Sequence, residues 1–354
     1  MRALVAMSGG VDSSVAAALM LERGHHVVGV TLKQWEGAGG EMPSAGCCTV
    51  ADAEDARRAA ARLDIPYYVL DYVDEFTAAV VDRFGAEYMA GRTPNPCIEC
   101  NRRVRFRALL ERTVDLGCDV LVTGHHARLR RDAMGHHLLR GKDRAKDQSY
   151  VLHMLGQEEL ARVELPIGEM TKPDVRAYAA ELGLRTASKP DSQDICFVGD
   201  GDYRAFLREH FPEAASPGEI VDTAGNTLGT HDGTVDFTVG QRRGLGVAAR
   251  ERRYVVAIEP ASATVVIGCK ADLLVKGCDV TDVTFVSGRA PESGSVSVQI
   301  RYRSAAVAAR CAETAAGLRL EFAEPQHGVA PGQSAVLYEG DEVLGGGIIA
   351  AALK

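Results

Sequence analysis

Residues 2–14 read Arg-Ala-Leu-Val-Ala-Met-Ser-Gly-Gly-Val-Asp-Ser-Ser. A short apolar run (2–7) fits a buried strand, and the pattern after residue 12 predicts a helix over 13–22. Between them a glycine pair lets the backbone turn tightly, so that amide N–H groups can face an anion. The helix that follows adds the partial positive charge of its N-terminus. Ser8, Ser13 and Ser14 offer hydroxyl donors for phosphate oxygens. Asp12 puts a carboxylate where an anion is expected, which suits a bridging Mg²⁺. The Gly-x-x-x-x-Gly-Lys-Ser/Thr spacing of kinases and motor ATPases is not present.

Outward from this stretch, the first half alternates strand and helix signals. Strands are expected at 27–32, 67–70 and 120–123, and helices at 51–63, 75–89, 104–116 and 172–182. Such alternation implies parallel strands joined by crossover helices, with ligands at the carboxyl ends of the strands. After a helix at 203–210 the character changes. Short β-type runs separated by glycine turns are expected at 219–222, 227–229, 254–259, 264–267, 280–286, 296–302, 318–322, 334–338 and 343–351. The fold class is therefore α/β: a Rossmann-like parallel-sheet domain over 1–204, a small central domain over 205–275 and a β-barrel-like domain over 276–354.

Composition sets the outer bounds. The 354 residues are 46% hydrophobic and 25% charged, as in folded globular proteins. No apolar run reaches the roughly 18 residues that a membrane helix needs, and the apolar run at 2–7 is too short for a signal peptide. The nine cysteines are an odd count, against a secreted disulfide framework, and are read as cytoplasmic thiols. A net charge of −8 does not advertise a nucleic-acid binder. Basic residues nevertheless cluster at Arg102/Arg103/Arg105/Arg107, Arg128/Arg130/Arg131, Lys142/Arg144/Lys146 and Arg250/Arg252/Arg253. Each cluster alone fits a solvated face; together they make a polyanionic partner worth testing.

Two further segments carry chemistry. In Thr93-Pro94-Asn95-Pro96-Cys97-Ile98-Glu99-Cys100-Asn101, two prolines stiffen the approach to a pair of thiols. Cys100 precedes an arginine-rich helix, a setting that lowers thiol pKa. In Asp191-Ser192-Gln193-Asp194-Ile195-Cys196-Phe197, Cys196 sits at a loop exit. A Cys-x-x-Cys pair by itself fits half a zinc site, a redox pair or core thiols. Cys47-Cys48 is poorly spaced to complete a zinc site. An iron–sulfur cluster on Cys97, Cys100 and Cys196 is the alternative, not the favoured reading. Cys118, Cys269, Cys278 and Cys311 lie in apolar or strand-like contexts and are read as packing.

Residues 7–14 resemble the PP-loop of the ATP pyrophosphatase superfamily, whose members attach AMP to a substrate oxygen and release pyrophosphate. With Thr93–Asn101, Gly124-His125, Lys146-Asp147-Gln148-Ser149-Tyr150, Ser188–Phe197, Thr238-Val239-Gly240-Gln241-Arg242-Arg243-Gly244, Arg301-Tyr302-Arg303 and Pro331-Gly332-Gln333, the ordered set is similar nearly end to end to bacterial tRNA-specific 2-thiouridylases. The resemblance implies adenylation of the C2 oxygen of the wobble uridine in tRNAs for Lys, Glu and Gln, then replacement by persulfide sulfur. It implies that Cys196 carries the persulfide and that Cys100 is the nucleophile. Ala6, Met7, Ser8, Gly9, Gly10, Val11, Asp12, Ser13, Leu32 and Gly124 would surround ATP. Asn95, Pro96 and Cys97 would meet a flipped base, and His125, Lys146, Asp147, Gln148, Arg301, Tyr302 and Gln333 the tRNA. The implied partners are ATP with Mg²⁺, the tRNA, and a cysteine desulfurase or sulfur relay; a monomer without membrane attachment is expected. One departure stands out: many members of the family carry aspartate where this chain has Cys97, and a thiol is a poorer acid or base there.

Overall fold

A computed structural model describes residues 1–36, 49–191, 195–198, 201–248, 251–291 and 294–354. Cys47, Cys48, Ser192, Gln193, Asp194 and Arg250 lie outside the described residues. The first strands are β1 (Arg2–Ala6), β2 (His26–Lys33), β3 (Tyr67–Asp71) and β4 (Val120–Val122). A hairpin follows, β5 (Ala127–Asp132) and β6 (Gly135–Arg140), and then β7 (Val163–Glu164). Strands β3-β2-β1-β4-β7 form one parallel sheet. Its centre is buried on both faces, which explains apolar runs instead of alternation. Leu4, Val28 and Leu121 pack into one core, whereas Ala3, Val5, Val27 and Val120 pack into another.

Helices α1 (Val11–Glu22) and α2 (Val50–Arg62) cross over between the first strands. Thr49 and Asp52 close a reciprocal cap on α2, satisfying two otherwise orphaned amides. The sequence reading of plain helices at 75–89 and 104–116 is refined. The first includes a π-helical turn at Thr77–Val81 before α3 (Asp82–Met89), and a π-helical stretch at Cys100–Ala108 leads into α4 (Leu109–Asp115). Helices α5 (Lys172–Glu181) and α6 (Tyr203–His210) lie where periodicity put them. Strand order reverses between β2-β1 and β1-β4, so the loops after β1 and β4 flank a topological switch point.

The central sheet runs β10-β11-β8-β9, from β8 (Gly218–Asp222), β9 (Thr227–His231), β10 (Tyr254–Glu259) and β11 (Thr264–Gly268). The last six strands are β12 (Val275–Phe285), β13 (Ser295–Gln299), β14 (Val307–Thr314), β15 (Gly317–Gln326), β16 (Ser334–Glu339) and β17 (Glu342–Leu353). They form an antiparallel barrel that β12–β17 pairing closes. The architecture matches the expected fold class.

Four strands, β5, β6, β7 and β14, have no counterpart in the sequence reading. β14 shows water most of its side chains and lacks an apolar alternation. The β5–β6 hairpin belongs to the first half in sequence but pairs with the barrel, Leu138 opposite Val343. Its arginines are paired with carboxylates. Arg128 donates to Asp341 at 2.8 Å, Arg130 to Glu342 at 3.0 Å and Arg131 to Glu164 at 2.7 Å. Arg144 also pairs with Asp341. The Arg128, Arg130 and Arg144 pairs tie the first domain to the barrel, whereas Arg131–Glu164 lies within the first domain.

Candidate active site

The loop after β1 is fixed by contacts that only its own residue types permit. Met7 N–H donates to the Val30 carbonyl at 2.7 Å, and the Thr31 hydroxyl donates to the Met7 carbonyl at 2.5 Å. Gly9 has φ +71, and a Cβ there would lie 2.2 Å from the Asp52 carbonyl oxygen. Gly124 packs from the far side; its Cβ would lie 2.6 Å from the backbone of Asp12 and Ser13. Ser13 accepts from Ser8 N–H at 3.1 Å and donates to the Gly10 carbonyl at 3.2 Å. Ser14 is fully buried and donates to the same carbonyl at 2.9 Å. Ser14 is therefore a brace of α1 and not a phosphate donor, a correction to its sequence reading.

This loop walls a cleft of about 340 Å³. Of the ten residues expected around ATP, all but Gly9 line it; Gly9 sits behind, against α2. At its base is a network of charges. Asp12 accepts from Lys172 Nζ at 2.7 and 2.8 Å and meets His126 Nε2 at 3.2 Å. Burial pushes the Asp12 carboxyl up, but the His126 and Lys172 hydrogen bonds outweigh it and hold the pKa below its ordinary value. Lys172 also reaches Asp191 at 2.9 Å, and Asp191 accepts from Lys146 at 2.6 Å and Arg176 at 3.0 Å. Desolvation raises the Asp191 pKa, yet Lys146 and Lys172 bring it down to about 2. Lys189 bridges Asp52 and Asp55, each at 2.7 Å, and the Gly9 carbonyl at 3.1 Å.

Lys172, Lys189, His126 and Asp52 were given no role in the sequence reading. Lys189 lies within the quoted Ser188–Phe197 segment, and Lys172 left one signal: a lysine in the first turn of a helix opposes the macrodipole and needs a reason to be there.

The thiols stand on the other side of the cleft. Asn95 Oδ1 accepts from Cys97 N–H at 3.1 Å and caps a helical turn that has Pro96 at its start. Cys97 is exposed, whereas Cys100 is buried, and Gln34 donates to its sulfur at 3.3 Å. Cys196 is half-buried and is held by its neighbour Phe197, only 3% exposed. That ring meets Phe206 at 5.2 Å, Phe84 at 5.3 Å, Phe76 at 5.7 Å and Trp35 at 6.2 Å. Cys97, Cys100 and Cys196, with Pro96, line the same cleft as the phosphate loop. Among the described residues, no three or more His, Cys, Asp or Glu side chains are arranged to hold a metal ion.

The residues expected at tRNA separate into two groups. Tyr302 and Arg301 are exposed, and Tyr302 joins the cleft from the barrel, its ring 5.8 Å from Tyr150. Gln148 lines the cleft and accepts from His126 N–H at 2.9 Å. His125 and Lys146 also line the cleft, whereas Asp147 and Gln333 do not. His125 is buried beside Thr123, and desolvation lowers its pKa to about 3, so it stays neutral. Asp147 pairs with Arg140 at 2.9 Å, Lys146 with Asp191, and Gln333 donates to the Thr93 carbonyl at 2.7 Å.

Comparison with known proteins agrees with this geometry. Residues 1–200 match the family described as tRNA methyl transferase HUP domain, 204–269 its PRC-barrel domain, and 275–349 the aminomethyltransferase beta-barrel domain. A protein of Geobacter metallireducens named tRNA-specific 2-thiouridylase MnmA is 49% identical over 99% of this chain and 97% of its own. One of the same name from Chloroflexus aurantiacus is 50% identical over 98% of each. Among solved structures, a 4-thiouridine synthetase–RNA complex with ATP covers 60% of this chain and 50% of its own, at 18% identity and a TM-score of 0.38. With near-complete coverage at such identity, the chain belongs to the tRNA-specific 2-thiouridylase family of enzymes.

Proposed function

We propose that this chain replaces the C2 oxygen of the wobble uridine with sulfur in tRNAs for Lys, Glu and Gln. The observation that carries the reading is that Cys100 and Cys196 line one cleft with a phosphate-binding loop. ATP lies along Ala6–Ser13 and against Leu32 and Gly124. Its α-phosphorus is attacked by the uridine O2, pyrophosphate leaves, and C2 becomes an electrophile with AMP as leaving group. Asp12, whose pKa is held below its ordinary value, would hold Mg²⁺, which when bound would neutralise phosphate charge. A ring atom in a stacked base is out of reach, so the uridine is flipped toward Asn95, Pro96 and Cys97. Tyr302 and Arg301 hold neighbouring nucleotides.

The terminal sulfur of a Cys196 persulfide then forms a bond to C2, and AMP departs. The Cys100 thiolate attacks the Cys196 sulfur, forming a Cys100–Cys196 disulfide and releasing the sulfur on the nucleoside. A two-electron reductant restores both thiols, and a cysteine desulfurase, directly or through a relay, reloads Cys196 in the cytoplasm. The methyl-transfer wording of the family description is less suited to this site. Methyl transfer has no need of a loop that binds the phosphates of ATP. Mass spectrometry of nucleosides from tRNA incubated with the protein, ATP, Mg²⁺ and a sulfur donor tests the reading. The expected product is 2-thiouridine at the wobble position; a methylated or unchanged base would refute it.

A further inference from the structure

We propose that Lys172 and Lys189 form the pyrophosphate grip of this cleft, holding the β- and γ-phosphates of ATP and then the departing pyrophosphate. The inference rests on the adenylation reading and assigns the side chains that bind its leaving group.

The two lysines bracket the phosphate loop from opposite ends. Lys172 stands at the first position of α5 and reaches the Asp12 carboxylate in the first turn of α1. Lys189 follows the turn Arg185–Ser188 and reaches the Gly9 carbonyl, Asp52 and Asp55. Both line the cleft, and Lys172 is 7% exposed. A cation so deeply placed costs free energy unless it is paired, and the side-chain ammonium groups are paired with Asp12 and Asp191 (Lys172) and with Asp52, Asp55 and the Gly9 carbonyl (Lys189). At the start of α5 the lysine also adds to the positive end of the helix, where an anion is favoured and a cation is not.

The pairing is of a kind that a phosphate can take over. Asp12 is the carboxylate suited to Mg²⁺, so the arrival of MgATP gives Asp12 a new cation and Lys172 a new anion. Phosphate oxygens can replace Asp12 oxygens around Lys172, since Asp191 keeps Lys146 and Arg176, while Lys189 can add a phosphate oxygen and keep Asp52 and Asp55. Until then the carboxylates keep both lysines aimed at the loop. Asp191 ties the same network to the segment that leads to Cys196, so the leaving-group side and the sulfur side of the cleft share Lys172.

Calorimetric titration of the full chain with inorganic pyrophosphate plus MgCl₂, and separately with AMP, tests the assignment. AMP lacks the phosphates in question, so it reports the rest of the site. Lys172→Gln and Lys189→Gln should each weaken pyrophosphate binding by about 10- to 100-fold, the range of a lost charge-assisted hydrogen bond, with AMP affinity unchanged within about twofold. Lys172→Arg should restore most of the pyrophosphate affinity. Unchanged pyrophosphate binding in both glutamine variants overturns the proposal, as does a parallel loss of AMP and pyrophosphate, which marks a structural role. Wild-type protein that binds neither ligand overturns the adenylation reading itself.

Discussion

Replacing Phe197 by alanine should separate the two halves of the reaction. The ring is buried among Trp35, Phe76, Phe84 and Phe206, so its removal leaves a cavity that four aromatic neighbours cannot readily close. Buried Phe→Ala changes cost about 3–5 kcal/mol. At roughly 2–4 °C per kcal/mol for a domain of this size, the first unfolding transition should fall by roughly 6–20 °C. The activity effect is more specific. Cys196 precedes the ring in sequence and takes its position from it, whereas the phosphate loop is held independently by Asp52, Gly124 and Val30. A displacement of about 1 Å at the sulfur costs on the order of 100-fold in transfer rate. Below the lowered melting temperature, AMP-forming pyrophosphate release should stay near wild type while single-turnover thiolation falls on the order of 100-fold. Phe197→Leu should be intermediate in both melting and transfer. Equal losses in the two half-reactions would refute the idea that Phe197 acts by placing Cys196.

Cys100→Ser and Cys196→Ser should each abolish thiolation yet leave pyrophosphate release intact; multiple-turnover thiolation by either variant would refute the two-thiol scheme. Arg242 and Arg243 are exposed and have no carboxylate partner among the described residues. Arg242→Gln with Arg243→Gln should therefore lower the slope of log K against log salt for tRNA by about one per cation, while Arg130→Gln, already committed to Glu342, should leave it unchanged. His137 lies between Glu342 at 2.6 Å and Asp132 at 3.0 Å. The Glu342 hydrogen bond, opposed by desolvation and helped by Asp132, raises its pKa above 6.5. A proton held more tightly in the folded chain stabilises it fully below the ordinary value, and this is lost as pH rises through the raised one. The melting-temperature gap between wild type and His137→Gln should thus be largest below the ordinary histidine pKa and shrink as pH rises through the raised one; a gap that grows with pH would reverse the sign.

What could be read in the sequence was what neighbours in sequence decide. The parallel half declares itself because β1, β2 and β4 are buried on both faces and the intervening helices carry periodic apolar residues. The phosphate loop is legible because Gly9 and Gly124 are needed for backbone approach, which no other residue type supplies. The β5–β6 hairpin is not, since Arg128 and Arg130 look solvated until Asp341 and Glu342 arrive from the other end of the chain. The same holds for His126, an unremarkable polar residue in its own segment, and Lys172 carries only the signal of its place in the first turn of α5; both become part of the site only where α5 and the loop after β4 converge on Asp12.

The barrel also accounts for a motif that has no chemistry of its own. Gly332, with φ +91, presses so closely on residue 93 that a Cβ would lie 2.8 Å from the Thr93 nitrogen. Thr93 N–H donates to the Pro331 carbonyl at 2.8 Å, and Gln333 Nε2 returns a bond to the Thr93 carbonyl at 2.7 Å. Pro331-Gly332-Gln333 therefore clamps the residue from which the Asn95–Cys100 turn begins. Nearby, the Tyr150 hydroxyl donates to the Ser334 carbonyl at 2.8 Å, and Ser149 meets Tyr338 at 3.2 Å. The segment after Gln148 is thus fixed to the same barrel strand. One wall of the cleft is set by the parallel sheet and the other by the barrel, through backbone contacts that leave little freedom. The thiol loop is then a part of the interdomain joint, and its two prolines make sense as stiffeners that pass the position of Thr93 on to Cys97 and Cys100. Residues that touch no substrate can on this account decide where a sulfur stands, and Gln333 acts from behind the cleft wall by holding Thr93.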